Sequence, residues 1–357
     1  MIKSSPAFLL VTVFVALISV TLAIIKNRFD PFSNSPVRST SEVKPNQKSL
    51  SLQDMLTSST SSDISIGKQM FSDTGFSKSG KQSCASCHIE SKAFQDGYER
   101  AVSGSQVIKR NTPSLHNLSA YSSFFWDGRA KSLLEQVDGP LFAVNEMNSN
   151  DELIVENFRR SQVYVTAFKN SGIVSERLFL KNCLVAYMQS LQTVNTKYWE
   201  FLNDQTNLSE EENRGKDLFF GRAGCSKCHT GHWLTNNQFT HHGLLPRKTV
   251  LQATAFGAYE LGFDYGRADV VSQDGFQFAF RTPSLINCEI TAPYMHDGAF
   301  RTLAEVVDFY DRGGDSPKMY LQPLGLSSYE KADLISFLRT LTDSRYQAES
   351  DIAEQNQ

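Results

Sequence analysis

A mainly α-helical protein, made of two domains related by internal duplication, is what this 357-residue sequence predicts. Three observations carry that expectation. The pattern Cys-x-x-Cys-His occurs twice, as CASCH at 84–88 and CSKCH at 225–229. A second phrase also returns: TPSLHN at 112–117 reappears as TPSLIN at 282–287, and an Asp-Gly pair lies fifteen residues beyond each threonine, in WDG and then in HDG. Finally, no sustained alternation of apolar and polar residues marks strands, whereas helical spacing recurs along the chain.

At the N-terminus, Lys3 precedes an uncharged apolar run at 7–25 that Lys26 and Arg28 close. About 20 apolar residues span a bilayer as a helix. The run ends Leu22-Ala23-Ile24-Ile25, without a clean small-residue cleavage site, so residues 1–28 are expected to be an uncleaved signal anchor rather than a cleaved signal peptide. Either reading puts the rest of the chain outside the cytoplasm, in the periplasm and tethered to the inner membrane if the anchor stays. Residues 29–62, rich in Ser, Thr, Pro, Asn and Gln, read as a flexible linker. The 35 Lys and Arg fall to 32 once Lys3, Lys26 and Arg28 are removed, against 38 Asp and Glu. With that balance and no basic tract, nucleic acid is excluded as a partner.

The first domain is expected over 63–205. IGKQMF (66–71) reads as a helix feeding the first CxxCH loop, KSLLEQV (131–137) starts another after WDG, and VYVTAFKN (163–170) with ERLFLKNCLVAYMQSL (176–191) adds more. The second domain, 206–345, repeats the plan: Ser209 caps a helix that carries RGKDLF (214–219), RTLAEVV (301–307) follows HDG, and SSYEKADLISFLRTL (327–341) makes a terminal amphipathic helix. A tail, 346–357, remains.

CxxCH is the attachment signature of c-type haem. Two thiols reach the two vinyl groups of one porphyrin, and the adjacent histidine turns under the ring to bind iron. Zinc would want four Cys or His ligands, which neither motif supplies by itself. Two covalently bound haem c groups are therefore expected, one on Cys84, Cys87 and His88, the other on Cys225, Cys228 and His229, in two cytochrome-c-like domains. Cys183 and Cys288 read as buried free thiols.

With FWDGRA (125–130), EMN (146–148) and TPSLINCEITAPYMHDG (282–298) beside the two CxxCH motifs, the sequence from about 63 to 345 resembles the bacterial di-haem cytochrome c peroxidase family, and within it the MauG-type branch most. The resemblance implies an open iron on the N-terminal haem. It also implies an inter-haem tryptophan at Trp126, a glutamine at Gln136 and a glutamate at Glu146. A carboxylate beside the iron can move a proton between the peroxide oxygens. Read alone, Glu146 is a solvated loop residue and Trp126 a core residue. Many members carry a regulatory histidine between the first CxxCH and TPSL, near what is Gly104 here. Residues 89–115 contain no histidine, so the site is expected to be open without reductive activation. His116, whose repeat counterpart is Ile286, reads as a packing or surface residue.

For the second iron, Met295, His296, Tyr310 and Met319 are candidates. Other members use a methionine fourteen residues after the HDG histidine. Here Tyr310 occupies that position, as in the MauG-type branch, and the resemblance makes it the ligand. By spacing alone, Tyr310 joins Leu303, Val306 and Val307 in a stripe that normally faces a core. A calcium ion is implied through Asn111, Thr291 and Pro293, by oxygen donors that suit that cation. His296 belongs to the surroundings of the second haem, and His232, His241 and His242 read as loop or surface residues.

Function follows the resemblance: hydrogen peroxide reduced with electrons from a small cytochrome c or cupredoxin, or a maturase that oxidises a partner protein. The best-known maturase relays oxidising equivalents through a surface tryptophan just before its second CxxCH, where this chain has Ala223. A non-catalytic electron carrier or redox sensor is the remaining class, and it needs neither Glu146 nor an open iron.

Overall fold

A computed structural model describes residues 60–103, 106–246, 250–254, 257–260, 263–272, 275–315 and 321–346. The expected anchor, the expected linker up to residue 59, Gly104, Met319 and the tail beyond 346 lie outside the described residues. The described part belongs to one compact unit, 50–357, and is mostly helical. In chain order its helices are α1 (Ser61–Ser72), α2 (Leu133–Phe142), α3 (Asp151–Arg160), α4 (Gln162–Ser171), α5 (Glu176–Ser190), α6 (Lys197–Leu202), α7 (Glu210–Phe220), α8 (Leu303–Asp311) and α9 (Ser328–Arg339). Among the described residues, sheet is limited to three antiparallel two-stranded pieces.

The helices start where side chains can satisfy their first amide groups. Thr60 with Asp63, Ser209 with Glu212, Thr302 with Glu305 and Ser327 with Glu330 each form a capping box, at the heads of α1, α7, α8 and α9. Ser209 thus caps as its sequence suggests.

Two hydrophobic cores result. One draws its residues from 64–191 and the other from 198–341. Helix α6 packs with the second core although it precedes residue 206. Tyr198 sits edge-on against Phe337 at 5.2 Å, and its amide donates to the Thr340 carbonyl at 3.0 Å. Each core is built around one helix crossing. Where α1 meets α5, a Cβ on Gly67 would lie 1.9 Å from the Cys183 carbonyl oxygen; where α7 meets α9, a Cβ on Gly215 would lie 1.9 Å from the Asp333 carbonyl oxygen. Only glycine permits backbones that close, and the duplication kept it twice.

The repeated TPSL loops face one another. Asn117 and Asn287 both take left-handed φ, 58° and 66°. Their side chains accept from the amides of Thr193 and Asp343, at 2.8 and 2.7 Å, and both donate to the Thr193 hydroxyl. Across the junction, the amide of Asn111 donates to the His296 carbonyl and that of Arg281 to the Trp126 carbonyl, each at 2.8 Å. A buried ion cluster clamps the same junction. Arg110 donates twice to Asp264, at 2.7 and 2.8 Å, and once to Asp127 at 2.6 Å.

Candidate functional site

The two histidines of the CxxCH motifs are oriented alike. His88 Nδ1 lies 2.8 Å from the Phe94 carbonyl oxygen and His229 Nδ1 lies 3.1 Å from that of Leu234. A carbonyl only accepts, so Nδ1 carries the proton in both rings, and Nε2 keeps the lone pair a metal takes. Burial lowers the pKa of both, that of His229 to about 4, which favours the neutral, ligating form. A single helical turn at Cys84–Ser86, and another at Cys225–Lys227, sets the two thiols of each motif beside its histidine.

The first site opens into a cavity whose lining includes Cys84, Cys87 and His88 together with Gln136, Pro140 and Glu146. Gln136 and Pro140 project from α2. Glu146 follows in a loop that folds back beneath that helix. Met147 donates its amide to the Pro140 carbonyl, Ser149 to that of Leu141, and Lys78 to that of Met147. Burial raises the pKa of Glu146, against the opposing charge of Arg129. After burial, the Glu146 carboxylate is among the charges that push both thiols of the first motif up, so it lies near them.

At the second site, burial first, and then the thiols of Cys228 and Cys225, raise the pKa of Tyr310, so its phenol lies near the second CxxC pair. The stripe that spacing suggests for α8 is only partly realised. Val307 is buried, but the deepest residue is Phe309, against Phe300 at 5.0 Å, while Tyr310 stays half-buried. Counting from the WDG and HDG motifs, Tyr310 occupies the place that Pro140 holds in α2, and Val306 that of Gln136.

Between the two sites lies a second cavity, lined among others by Trp126, Gln136, Asn111, Thr291, Pro293 and Arg281. The structure therefore brings together Trp126 and all three residues that the resemblance assigns to calcium. Trp126 donates its indole N–H to the Asn111 carbonyl at 2.9 Å. Met295 also lines this cavity. His296 instead stacks on Phe280 at 3.6 Å and meets His242 at 3.3 Å between ring nitrogens. His242 is half-buried rather than a surface residue. His116 is buried against the Tyr346 hydroxyl at 2.9 Å, a packing role.

Arg281 escaped the sequence reading, although it stands directly before TPSL where the other copy has Asn111. It is 7% exposed, its guanidinium lies 3.6 Å over the Tyr121 ring, and Nη1 has no hydrogen-bond partner among the described residues. A buried, incompletely paired cation asks for an anion. The free Nε2 of each histidine, the paired thiols, the mostly apolar first cavity and this arginine together fit haem, whose propionates are carboxylates.

The sequence comparisons agree. A model of the family described as di-haem cytochrome c peroxidase matches residues 61–207. The methylamine utilization protein MauG of Methylorubrum extorquens is 34% identical over 288 residues, covering 78% of this chain and 77% of that protein. The chain belongs to the di-haem cytochrome c peroxidase family. Cytochrome-c peroxidase IdrP1 of a Pseudomonas species is 33% identical over 307 residues, covering 79% of this chain and 81% of its own. Among solved structures, a MauG-like protein associated with microbial copper homeostasis aligns with a TM-score of 0.70 at 29% identity, over 80% of this chain and 90% of that one. Membership in a di-haem family makes the protein an oxidoreductase with two haem groups, and the duplicated CxxCH sites are the places that fit them.

Proposed function

We propose that the protein reduces hydrogen peroxide at the N-terminal haem, with electrons drawn from a protein donor through the C-terminal haem and Trp126. One observation carries the reading. Gln136 and Glu146 share the first cavity with Cys84, Cys87 and His88, whereas Tyr310 lies near the thiols of the second site. When bound, the haem iron supplies the position where peroxide is held and its O–O bond is reduced. The chain supplies the proton handling. Glu146 takes the proton from the inner peroxide oxygen and returns it to the outer one, and Gln136 orients the same molecule by hydrogen bonding. Two electrons and two protons turn one peroxide into two waters. Partial desolvation suits Glu146 to this task, because it raises the affinity for the proton to be carried.

In this reading Tyr310 closes the second iron as a ligand, an anionic oxygen donor that favours ferric iron, and the domains divide as 63–205 (peroxidatic) and 206–345 (electron transfer). Asn111, Thr291 and Pro293 hold a calcium ion in the cavity between them, and the chain works in the periplasm, tethered by residues 1–28. The same Tyr310 also favours a second reading, oxidative maturation of a partner protein, since MauG is among the relatives.

Rapid mixing of the resting, non-reduced protein with peroxide tests the reading. Its haem spectrum should change within the mixing experiment and recover when an electron donor is added. A spectrum indifferent to peroxide would make the protein an electron carrier. Stripping calcium with a chelator should alter the haem spectra, and no change after verified removal would dismiss the Asn111 site.

A further inference from the structure

Two of the three tryptophans stand apart from the chemistry described so far. Trp199, on α6, and Trp233, four residues past His229, meet at 5.4 Å between ring centroids, edge to face. His232 joins both: its ring stacks on Trp199 at 4.4 Å and 12° and stands edge-on to Trp233 at 4.5 Å. The three rings run from the interior to the solvent. Trp199 is 9% exposed, Trp233 half-buried and His232 exposed.

The cluster is anchored to the loop that holds the iron ligand. Trp233 precedes Leu234, whose carbonyl accepts from His229 Nδ1, and the Trp233 carbonyl itself accepts from the Ser284 hydroxyl at 2.6 Å. The first module builds the same turn without indoles, with Phe94 in the place of Leu234. There Ser114 donates to the Ala93 carbonyl at 2.6 Å and His88 to that of Phe94. Ala93, fully buried, thus stands where Trp233 stands, and Lys92 where His232 stands. Core packing accounts for the buried faces of Trp199 and Trp233, which belong to the second core. It does not account for an exposed imidazole laid flat on an indole, nor for a pair of indoles on one module only. The place before the second CxxCH, by contrast, holds the buried Ala223.

We propose that Trp199, His232 and Trp233 form the electron entry of the second module, through which a small electron-transfer protein docked over His232 feeds the C-terminal haem. The proposal rests on the peroxidase reading. One electron leaves the redox centre of the donor, fills a vacancy on the oxidised indole pair, and is passed inward. The donor is oxidised by one electron, and the enzyme, oxidised by peroxide, is reduced by one, with two such passages per peroxide. Indoles suit the task because they are the side chains, with phenols, that give up an electron most readily. The rim favours a donor with an apolar contact patch. Leu202, one turn along the same helix from Trp199, is 57% exposed.

The test uses the full protein with both haems, the double variant Trp199→Phe/Trp233→Phe, and His232→Ala at an exposed position where folding is not at stake. Each is mixed with peroxide alone, then with a reduced small c-type cytochrome. Recovery of the haem spectrum should slow at least about tenfold in the double variant and measurably in His232→Ala. Peptide mapping of wild-type protein after peroxide without donor should find oxidation concentrated on Trp199 and Trp233. Unchanged recovery in both variants, or oxidation elsewhere, would overturn the proposal while leaving the peroxidase reading intact. Oxidised indoles that the cytochrome does not rescue would replace the donor with a protein substrate and so overturn it too. A wild-type spectrum that ignores peroxide would remove both.

Discussion

The two haem modules are the same scaffold with different chemistry, and the split between what was kept and what changed is instructive. Kept are the contacts that set the backbone: the glycine crossings at Gly67 and Gly215, the histidine-to-carbonyl bonds of His88 and His229, the serine bonds of Ser114 and Ser284, and the left-handed Asn117 and Asn287. Changed are single side chains around the two CxxCH sites. On equivalent helices, α2 offers Gln136 and Pro140 where α8 offers Val306 and Tyr310. A proline side chain has no donor atom for a metal, so under the proposed reading the first site stays open at the place where Tyr310 would close the second. Ala93 and Trp233 diverge in the same way.

Breaking the asymmetry at its chemical end should give the greatest change. Glu146→Gln keeps the shape and removes the titrating oxygen, so both haem spectra should persist while peroxide turnover falls ~10²-fold or more. An unchanged turnover measured by stopped flow would take Glu146 out of the mechanism and return it to the solvated loop residue it resembles in isolation.

The shared scaffold can be probed just as directly. Alanine in place of a helical glycine usually gains up to about 1 kcal/mol. At Gly67 and Gly215 the new methyl would instead meet a carbonyl oxygen at 1.9 Å, so each variant should lose about 1–3 kcal/mol in denaturant unfolding. Similar losses at both positions would sharpen the equivalence of the modules, and a stabilised Gly215→Ala protein would break it.

A smaller effect concerns the clamp between the modules. Burial works against its charge, yet the Arg110 guanidinium and then the Gly266 amide hold Asp264 at about 2, below the usual aspartate value. A depressed carboxylate stabilises the fold above its ordinary pKa and loses that contribution as pH falls toward its folded value. Acid unfolding of the wild type should therefore steepen between about pH 4 and pH 2, and Asp264→Asn should flatten that limb. Identical acid profiles would mean that Arg110 is satisfied by Asp127 alone.

Much of this was legible in the sequence because it is local. The CxxCH motifs, the TPSL repeats and the Ser209 cap are each written within a few residues, and the ligand spacings ride on single helices. The rest depends on partners far apart in the chain. Arg110 finds Asp264 across 154 positions, and Trp199 meets His232 only because α6 packs on the second core. A lone tryptophan, histidine or arginine carries no signal of its neighbour, so these read as core or surface until the fold places them. Arg281 had one usable clue, a charge standing where its repeat partner is Asn111.

The asymmetry of the two irons is tested most directly by electron paramagnetic resonance of the resting, ferric protein, wild type beside Tyr310→Met. The wild type should give one high-spin signal, from the haem facing Glu146, and one low-spin signal, from the haem closed by Tyr310. The substitution should change only the low-spin signal and raise the reduction potential of that haem, since a thioether favours ferrous iron. Two low-spin signals in the wild type, or a low-spin signal and potential untouched by Tyr310→Met, would contradict the division of labour between the modules.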